Sequence, residues 1–472
     1  MANIIVLGGG VCGLAAGLML ARDGHDVTLL ERDPQPVPAT PEEAWERWER
    51  DGVAQFRQAH YLHARATHVI KNELPDVRDA LFDAGAARLD PVCGLPPGIT
   101  DTSRRPGDER LATATARRTT IEQVLAVAAD EQPRLEVRRG VGVTWLRKSA
   151  RSGIPHFHGV RTDSGEELEA DLIVDAMGRR STLPKWLAEA GCAPVHEEAE
   201  DSGFIYYSRF FRGEQPPEPM APLLTPIGSF SVLTLPSDSQ TWSVTLFTAS
   251  GDQPLKGLRH PEAFAAAARA CPLHAHWLDG EPLTDVIAMG GVIDRYRRFV
   301  NGGKPVASGV VAVADAWACT NPSLGRGIAL GLAHVARLRD LVREQLDDPL
   351  EFAEAWDELT ERELTPWYRS TVAGDRARLA EIEALRHGFQ PPGPRDFEEG
   401  LGPALDVAAG YDPDVFRAML EIAGCLSLPE EVFARPGMVE RVVELAGQHE
   451  PVRWPGPSRD ELLQLMAEPA GA

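Results

Sequence analysis

Apolar residues fall along this chain in two rhythms. Ile4-Ile5-Val6-Leu7 is an unbroken apolar run, and Val27-Thr28-Leu29-Leu30, Leu172-Ile173-Val174 and Val310-Val311-Ala312-Val313 are close to it. Short runs of this kind predict strands buried on both faces of a parallel sheet. Between about residues 200 and 290 the pattern alternates, as in Phe204-Ile205-Tyr206-Tyr207 and Trp242-Ser243-Val244-Thr245-Leu246, which predicts antiparallel strands. Further strand-like runs lie at 135–137, 141–146 and 157–160. Ile121, Val124, Leu125 and Ala128 have helical spacing, and residues 60–74 are expected to form a helix. The segment 85–110, rich in Gly, Pro, Asp and Arg, is expected to be loop or short strands. The remainder after about 330 reads as mostly helical, broken at Pro391-Pro392-Gly393-Pro394, with capping-box spacing from Ser458 to Glu461.

The turn after the first run is Gly8-Gly9-Gly10-Val11-Cys12-Gly13, a G-x-G-x-x-G between a strand and a helix. Gly8 permits the tight turn, Gly10 lets backbone approach a pyrophosphate, and Gly13 lets the helix pack close to the strand. The helix start then offers free N–H groups and a positive dipole end to phosphate. Glu31 ends the second strand 23 residues after Gly8, near the spacing of roughly 20 for the acid that binds a ribose hydroxyl. These features together predict a dinucleotide-binding unit.

Length and charge narrow the reading. A chain of 472 residues can carry two or three structural units. A formal net charge of −22 argues against nucleic acid or an anionic membrane as partner. Six scattered cysteines without a C-x-x-C pair suit a reducing compartment, and no apolar run approaches the ~18 residues of a membrane span. A first strand that begins near residue 3 leaves no room for a signal peptide, so a cytoplasmic location is expected. The strand near 310 that returns to the style of the first implies one discontinuous domain with the middle inserted into it.

Three separated motifs then resemble one family, the FAD-dependent monooxygenases of the p-hydroxybenzoate hydroxylase fold, and within it the bacterial natural-product epoxidases and hydroxylases. The first is the glycine motif with Glu31. The second is Val174-Asp175-Ala176-Met177-Gly178-Arg179-Arg180-Ser181, similar to the family's D-A-x-G-R-x-S. The third is Val313-Ala314-Asp315-Ala316 followed by Pro322-Ser323-Leu324-Gly325-Arg326-Gly327, similar to G-D and then P-x-x-G-x-G. Weaker matches are Arg118-x-x-Ile121-Glu122-x-x-Leu125 and the stretch Gly52 to His60, which contains Arg57.

The resemblance implies an α/β fold: a Rossmann-like FAD domain of the glutathione-reductase type, an inserted antiparallel-sheet substrate domain, and a helical C-terminal region. The expected division is 1–199 and 286–345 for FAD, with 76–110 contributing to the substrate side, 200–285 for the substrate sheet, and 346–472 for the helices. It implies non-covalent FAD held by Gly8, Gly10, Val11, Cys12, Gly13, Glu31, Arg32, Arg118, Val141, Asp175, Gly178, Asp315, Pro322, Gly325, Gly327 and Ile328. It also implies insertion of one oxygen atom of O₂, through a flavin C4a-hydroperoxide, into a small apolar natural-product-like substrate, by epoxidation or aromatic hydroxylation. Phe204, Tyr206, Phe230, Trp242 and Val244, with Ser231, are the expected pocket residues on the inserted sheet.

Two departures from the family matter. The G-D pair is Ala314-Asp315, and the D-G element of the self-sufficient hydroxylases is interrupted as Asp175-Ala176-Met177-Gly178. The second departure shifts the expected electron supply from direct NAD(P)H reduction toward a partner flavin reductase or ferredoxin. A reductase or dehydrogenase of the geranylgeranyl-reductase type is the alternative, and a non-catalytic flavoprotein is another. No metal site is expected, since His274-Ala275-His276 has no evident third ligand. His156-Phe157-His158 is read as strand alternation with exposed histidines, and Arg295-Tyr296-Arg297-Arg298 as a solvated basic face. There is no G-x-S-x-G elbow and no W-x-W-x-I-P segment of the flavin halogenases.

Overall fold

A computed structural model describes residues 1–151 and 153–467. The apolar runs form a five-stranded parallel sheet in the order Val310–Ala312, Leu172–Asp175, Asn3–Leu7, Asp26–Glu31, Leu135–Arg139. Val6 sits between Val174 and Leu29 in register, and all three are fully buried. One face of the sheet packs on helices Val11–Arg22, Arg118–Glu131 and Gly327–Gln345, and the other joins a core with the antiparallel strands Val143–Arg151 and Ile154–Thr162. Coverage on both sides explains why these strands carry apolar residues without alternation.

The middle of the chain forms a separate antiparallel sheet, ordered Leu224–Ile227, Phe230–Pro236, Thr241–Ala249, Phe204–Arg212, Glu281–Pro282. Strand Ile287–Gly290 also pairs with Phe204–Arg212, so this sheet runs past the expected edge at residue 285. Its register sorts the side chains. Phe204, Tyr206, Ser208 and Phe210 share one face with Ala249, Phe247, Thr245 and Ser243, and Tyr207 and Phe211 share the other with Leu246 and Trp242. The first face turns toward the parallel-sheet unit: Ser208 Oγ donates to Gln58 Oε1 at 2.8 Å, and Phe210 lies against Trp45. A small sheet of Ala59–Leu62, Thr113–Arg117 and Ala87–Leu89 carries the junction. There Thr115 donates to Pro236 O, and fully buried Arg117 is paired with fully buried Asp238.

The C-terminal third is helical. Helices Pro349–Glu363 and Thr365–Arg386 pack on the two earlier units, and helices from Phe397–Ala408 to Met438–Gln448 follow the proline break. Helix Arg459–Ala467 begins behind a reciprocal Ser458–Glu461 cap and places Leu462 in the core behind the middle sheet. Among the described residues no helix is long and apolar enough to cross a membrane.

Several local expectations change. Residues 59–62 are a strand and the helix starts at Ala64, because pairing with Thr113–Arg117 outweighs local helical spacing. His156 is buried, with Nδ1 3.0 Å from Ser308 Oγ. The cluster 295–298 is paired rather than solvated. Arg297 is buried and donates to Glu197 and to Ala316 O, Arg298 pairs with Asp357, and Arg295 donates to Arg179 O. His274 and His276 lie at a 3₁₀ turn, against Thr225 and Glu218 O.

Candidate functional site

The glycine turn behaves as its spacing predicts. Gly8 has φ +99°, and a Cβ there would lie 2.7 Å from Ala176 O. A Cβ on Gly13 would run into Gly8 O, so the helix lies directly on the turn. Gly10 differs: the nearest atom to a Cβ there is Arg118 Nη2 at 3.9 Å. Helix Val11–Arg22 starts at Gly10 with no side-chain cap, which leaves its first N–H groups facing that open space.

Glu31 is more heavily engaged than the motif suggests. Its Oε2 accepts from Gly9 N and from Arg50 Nη2, both at 2.7 Å, and its Oε1 accepts from Asp33 N at 2.9 Å. A carboxylate offers about four lone-pair sites, so one acceptor position of Glu31 remains beyond these three bonds. Arg50 also pairs with Asp33 and with fully buried Glu122, and Glu122 in turn receives Arg118 Nε at 2.7 Å. Neither Arg50 nor the bridging role of Glu122 was expected. The i,i+4 spacing of Arg118 and Glu122 was the only signal for the latter. Val141 donates its N–H to Glu31 O, and Arg32 is exposed beside Gly52. Arg57 caps the end of helix Pro41–Arg47 through carbonyls of Ala44, Trp45 and Trp48, a structural task.

The other end of the site follows strand Val310–Ala312. Ala314 holds φ +51°, the left-handed region where the family's motif places glycine, and its N–H donates to His334 Nδ1. Half-buried Asp315 accepts no side-chain or backbone hydrogen bond from the described residues. Burial pushes its carboxyl above the usual range, against the pull of Arg118 and Arg179. Burial and nearby Asp315 push the Cys12 thiol up to about 12, so it is a neutral packing group. Beyond a 3₁₀ turn, Pro322–Leu324, Gly325 takes φ +65°, and helix Gly327–Gln345 starts without a side-chain cap, with no atom within 4 Å of a Cβ on Gly327. Ile328 is buried in its first turn.

Asp175, expected at the cofactor, is turned inward. It is fully buried, accepts from Ser181 Oγ and from Met177 N at 3.0 Å, and burial raises its carboxyl to about 6. It shapes the turn before Gly178 (φ +73°), with its side chain engaged inside the protein.

The loop 321–325 meets the middle sheet. Tyr206 Oη donates to Asn321 Oδ1 at 2.8 Å, Asp294 accepts from Asn321 N at 2.5 Å, and Asp375 accepts from Ser323 Oγ. Phe204 and Tyr206 pack with Phe247, beneath Leu379 and Ile382 of helix Thr365–Arg386. Phe230, Trp242 and Val244 do not reach this side. They form the opposite core with Phe264 and Trp277, and Trp242 Nε1 donates to Trp277 O. Both faces of the sheet are buried, so alternation alone carried no sign of which face looks inward.

These elements suit a long, two-ended cofactor. One uncapped helix start adjoins the open Gly10, with Arg118 Nη2 the nearest atom, another adjoins the open Gly327, and Asp315 lies within electrostatic reach of Arg118.

Residues 3–40 match a sequence family described as FAD dependent oxidoreductase. The chain is similar over its length to solved flavoprotein structures. With p-nitrophenol 4-monooxygenase PnpA from Pseudomonas putida it shares 15% identity, covering 91% of this chain and all of the other, with TM-score 0.60. With the flavin-dependent brominase Bmp2 the figures are 14%, 95%, 100% and 0.60. The chain has the fold of the FAD-dependent monooxygenases. With the Pseudomonas aeruginosa protein pqsL, described as a probable FAD-dependent monooxygenase, it shares 15% identity over 81% of this chain and 99% of that one, TM-score 0.55. In sequence it is 26% identical over 428 residues to protein Rv3254 of Mycobacterium tuberculosis, covering 85% of this chain and 86% of that protein. This is a flavin-dependent oxidoreductase fold, and FAD is its cofactor.

Proposed function

We propose that the protein transfers one oxygen atom of O₂ to a small, largely apolar, natural-product-like substrate, by hydroxylation or epoxidation. The observation that carries this reading is the Tyr206–Asn321 hydrogen bond, which sets the inner face of the middle sheet directly on the loop that precedes Gly325 and Gly327. Residues 1–199 and 286–345 would hold FAD, the sheet from about 200 would hold the substrate, and 346–472 would brace both. When bound, FAD supplies the reduction of O₂ and the oxygen-atom transfer. The chain supplies the surroundings. Gly10 and the start of helix Val11–Arg22 would receive phosphate, Glu31 would offer its remaining acceptor site to ribose, and Asp315 would take hydroxyl donors. Phe204, Tyr206 and Phe247, all buried, keep water from the inner face of the sheet.

Turnover under ¹⁸O₂ is expected to place one heavy oxygen in the product and one in water. Label drawn from water, or a product that gains two hydrogens and no oxygen, would overturn the reading. Electrons are proposed to come from a partner reductase or ferredoxin. The expected result on anaerobic mixing with NADH or NADPH, with substrate and no partner, is therefore slow bleaching of the flavin.

A further inference from the structure

Ala314 stands at φ +51°, a conformation that disfavours any residue with a Cβ, and helix Gly327–Gln345 is shaped to hold it there. Two residues of that helix, three positions apart and so on one face, meet the alanine. Gly331 leaves room for its methyl group: a Cβ on Gly331 would lie 3.0 Å from the Cβ of Ala314. His334 takes its N–H, with Nδ1 3.2 Å from Ala314 N. A backbone N–H only donates, so Nδ1 carries the lone pair, and Nε2 carries the proton and donates it to Thr360 Oγ1 at 3.1 Å. The imidazole is fully buried, stacked on Trp356 at 4.4 Å between centroids and edged by Trp317 at 4.9 Å, which fixes its orientation. Burial lowers it to about 3, so the ring is neutral and Nδ1 stays an acceptor at neutral pH. From the other side Trp317 N donates to Ala314 O at 2.9 Å. Asp315 is the central residue of the turn Ala314–Ala316 that these bonds secure.

We propose that His334 is a positioning residue for FAD: by accepting the N–H of Ala314 it holds the left-handed turn that presents the Asp315 carboxylate to the cofactor. This rests on the reading of Asp315 as a cofactor contact. His334 acts at one remove, since both its nitrogens are engaged inside the protein. Without the acceptor, Ala314 relaxes out of positive φ in the free protein, and FAD binding has to restore it. A glycine at 314 needs no such support, because it enters that region about as readily as any other. The helix has therefore taken over, through Gly331 and His334, a task that a glycine performs by itself.

The test titrates FAD into each apoprotein by fluorescence quenching, with urea unfolding of the same apoproteins alongside. His334→Phe keeps a ring between Trp317 and Trp356 and removes the acceptor. Its FAD affinity is expected to fall about five- to thirtyfold, the cost of returning one non-glycine residue to the left-handed region. His334→Asn keeps an acceptor oxygen close to the Nδ1 position and loses the stack, so it should lose stability and keep most of the affinity. Ala314→Gly added to His334→Phe should return most of the lost affinity, since the unpaired N–H then costs the free and the loaded protein alike. In wild-type apoprotein labelled with ¹⁵N-histidine, His334 should show an unprotonated Nδ1 and a protonated Nε2 at neutral pH. Loss of stability without loss of affinity in His334→Phe, no recovery by Ala314→Gly, or a protonated Nδ1 would each overturn the inference. Asp315→Ala separates it from the reading beneath it. Wild-type FAD affinity in that variant overturns both, whereas weakened binding there beside wild-type affinity in His334→Phe overturns the inference alone.

Discussion

Two glycines of one motif are predicted to fail in opposite ways when each gains a single methyl group. Gly10 has φ −78° and ψ −180°, extended backbone open to any residue, and the nearest atom to an added Cβ is 3.9 Å away. Gly10→Ala therefore strains nothing in the apoprotein and restricts the unfolded chain, a gain of about 0.4–1 kcal/mol. Its methyl projects into the space before the uncapped helix start, so FAD affinity should fall at least about tenfold, or about 1.4 kcal/mol. Gly13 is the reverse case. A Cβ there meets Gly8 O inside contact distance, Gly8 C at 3.0 Å and Ala176 Cβ at 3.4 Å. The first two are backbone atoms of a turn fixed by Gly8 N donating to Leu30 O, so they cannot swing aside. Overpacking costs about 1–3 kcal/mol or more, set against a helix-propensity gain of about 1 kcal/mol for Ala over Gly. Because the clash is with backbone, the cost lies at the upper end of that range, and Gly13→Ala should lower apoprotein stability by about 2 kcal/mol or more before any cofactor is considered. Urea unfolding of the two apoproteins and FAD titration by fluorescence quenching measure both quantities. Wild-type FAD affinity in Gly10→Ala, or an apo Gly13→Ala as stable as wild type, would refute the reasoning.

Two further outcomes follow from the charge network. Arg50→Met leaves Glu31, Asp33 and Glu122 without their shared cation, and should cost about 3–5 kcal/mol in chemical denaturation, with part recovered by adding Glu122→Gln. The second concerns pH. Burial raises the carboxyl of Asp375 to about 6, against the bond from Ser323, so its neutral form is the one folding favours. Its contribution is fully present below the ordinary aspartate value near 4 and is lost as pH rises through 6, a fall of about 3 kcal/mol. Asp375→Asn should flatten that part of the stability profile, and an unchanged slope between pH 4 and 6 would show the shift to be absent.

How much of this was legible depended on whether a local pattern carried the information. The parallel sheet was readable because strands buried on both faces must be apolar throughout, as Ile4 to Leu7 are. The glycine turn was readable because backbone clashes at Gly8 and Gly13 leave no other residue. The orientation of the middle sheet was not readable. Trp242 and Val244 alternate with Ser243 and Thr245, and the sequence suggested that the larger apolar residues face the ligand. They face a core built by Phe264, Trp277 and the distant Leu462, while the smaller hydroxyl residues share a face with Tyr206. Arg50 and Arg297 were equally hidden, since a buried arginine is defined by carboxylates and carbonyls that only the fold brings to it.

The C-terminal third, which carries no recognisable motif, still takes part in the site. Its helix Thr365–Arg386 brings Asp375 to Ser323, while Asp294 takes the N–H of Asn321 from the other side. Both acids are buried, and burial raises both carboxyls, so neither is a favourable way to stabilise the fold. What they supply is direction. Asn321 and Ser323 are each held by a carboxylate, Leu324 O receives His63, and Tyr206 reaches Asn321 from the middle sheet. The stretch that ends in Gly325 and Gly327 is thereby fixed from the parallel-sheet unit, the middle sheet and the C-terminal helices at once. A glycine-rich loop is conformationally free by composition. Here its position is set by polar partners drawn from all three parts of the chain, and each of them lies outside the motif that announces the loop.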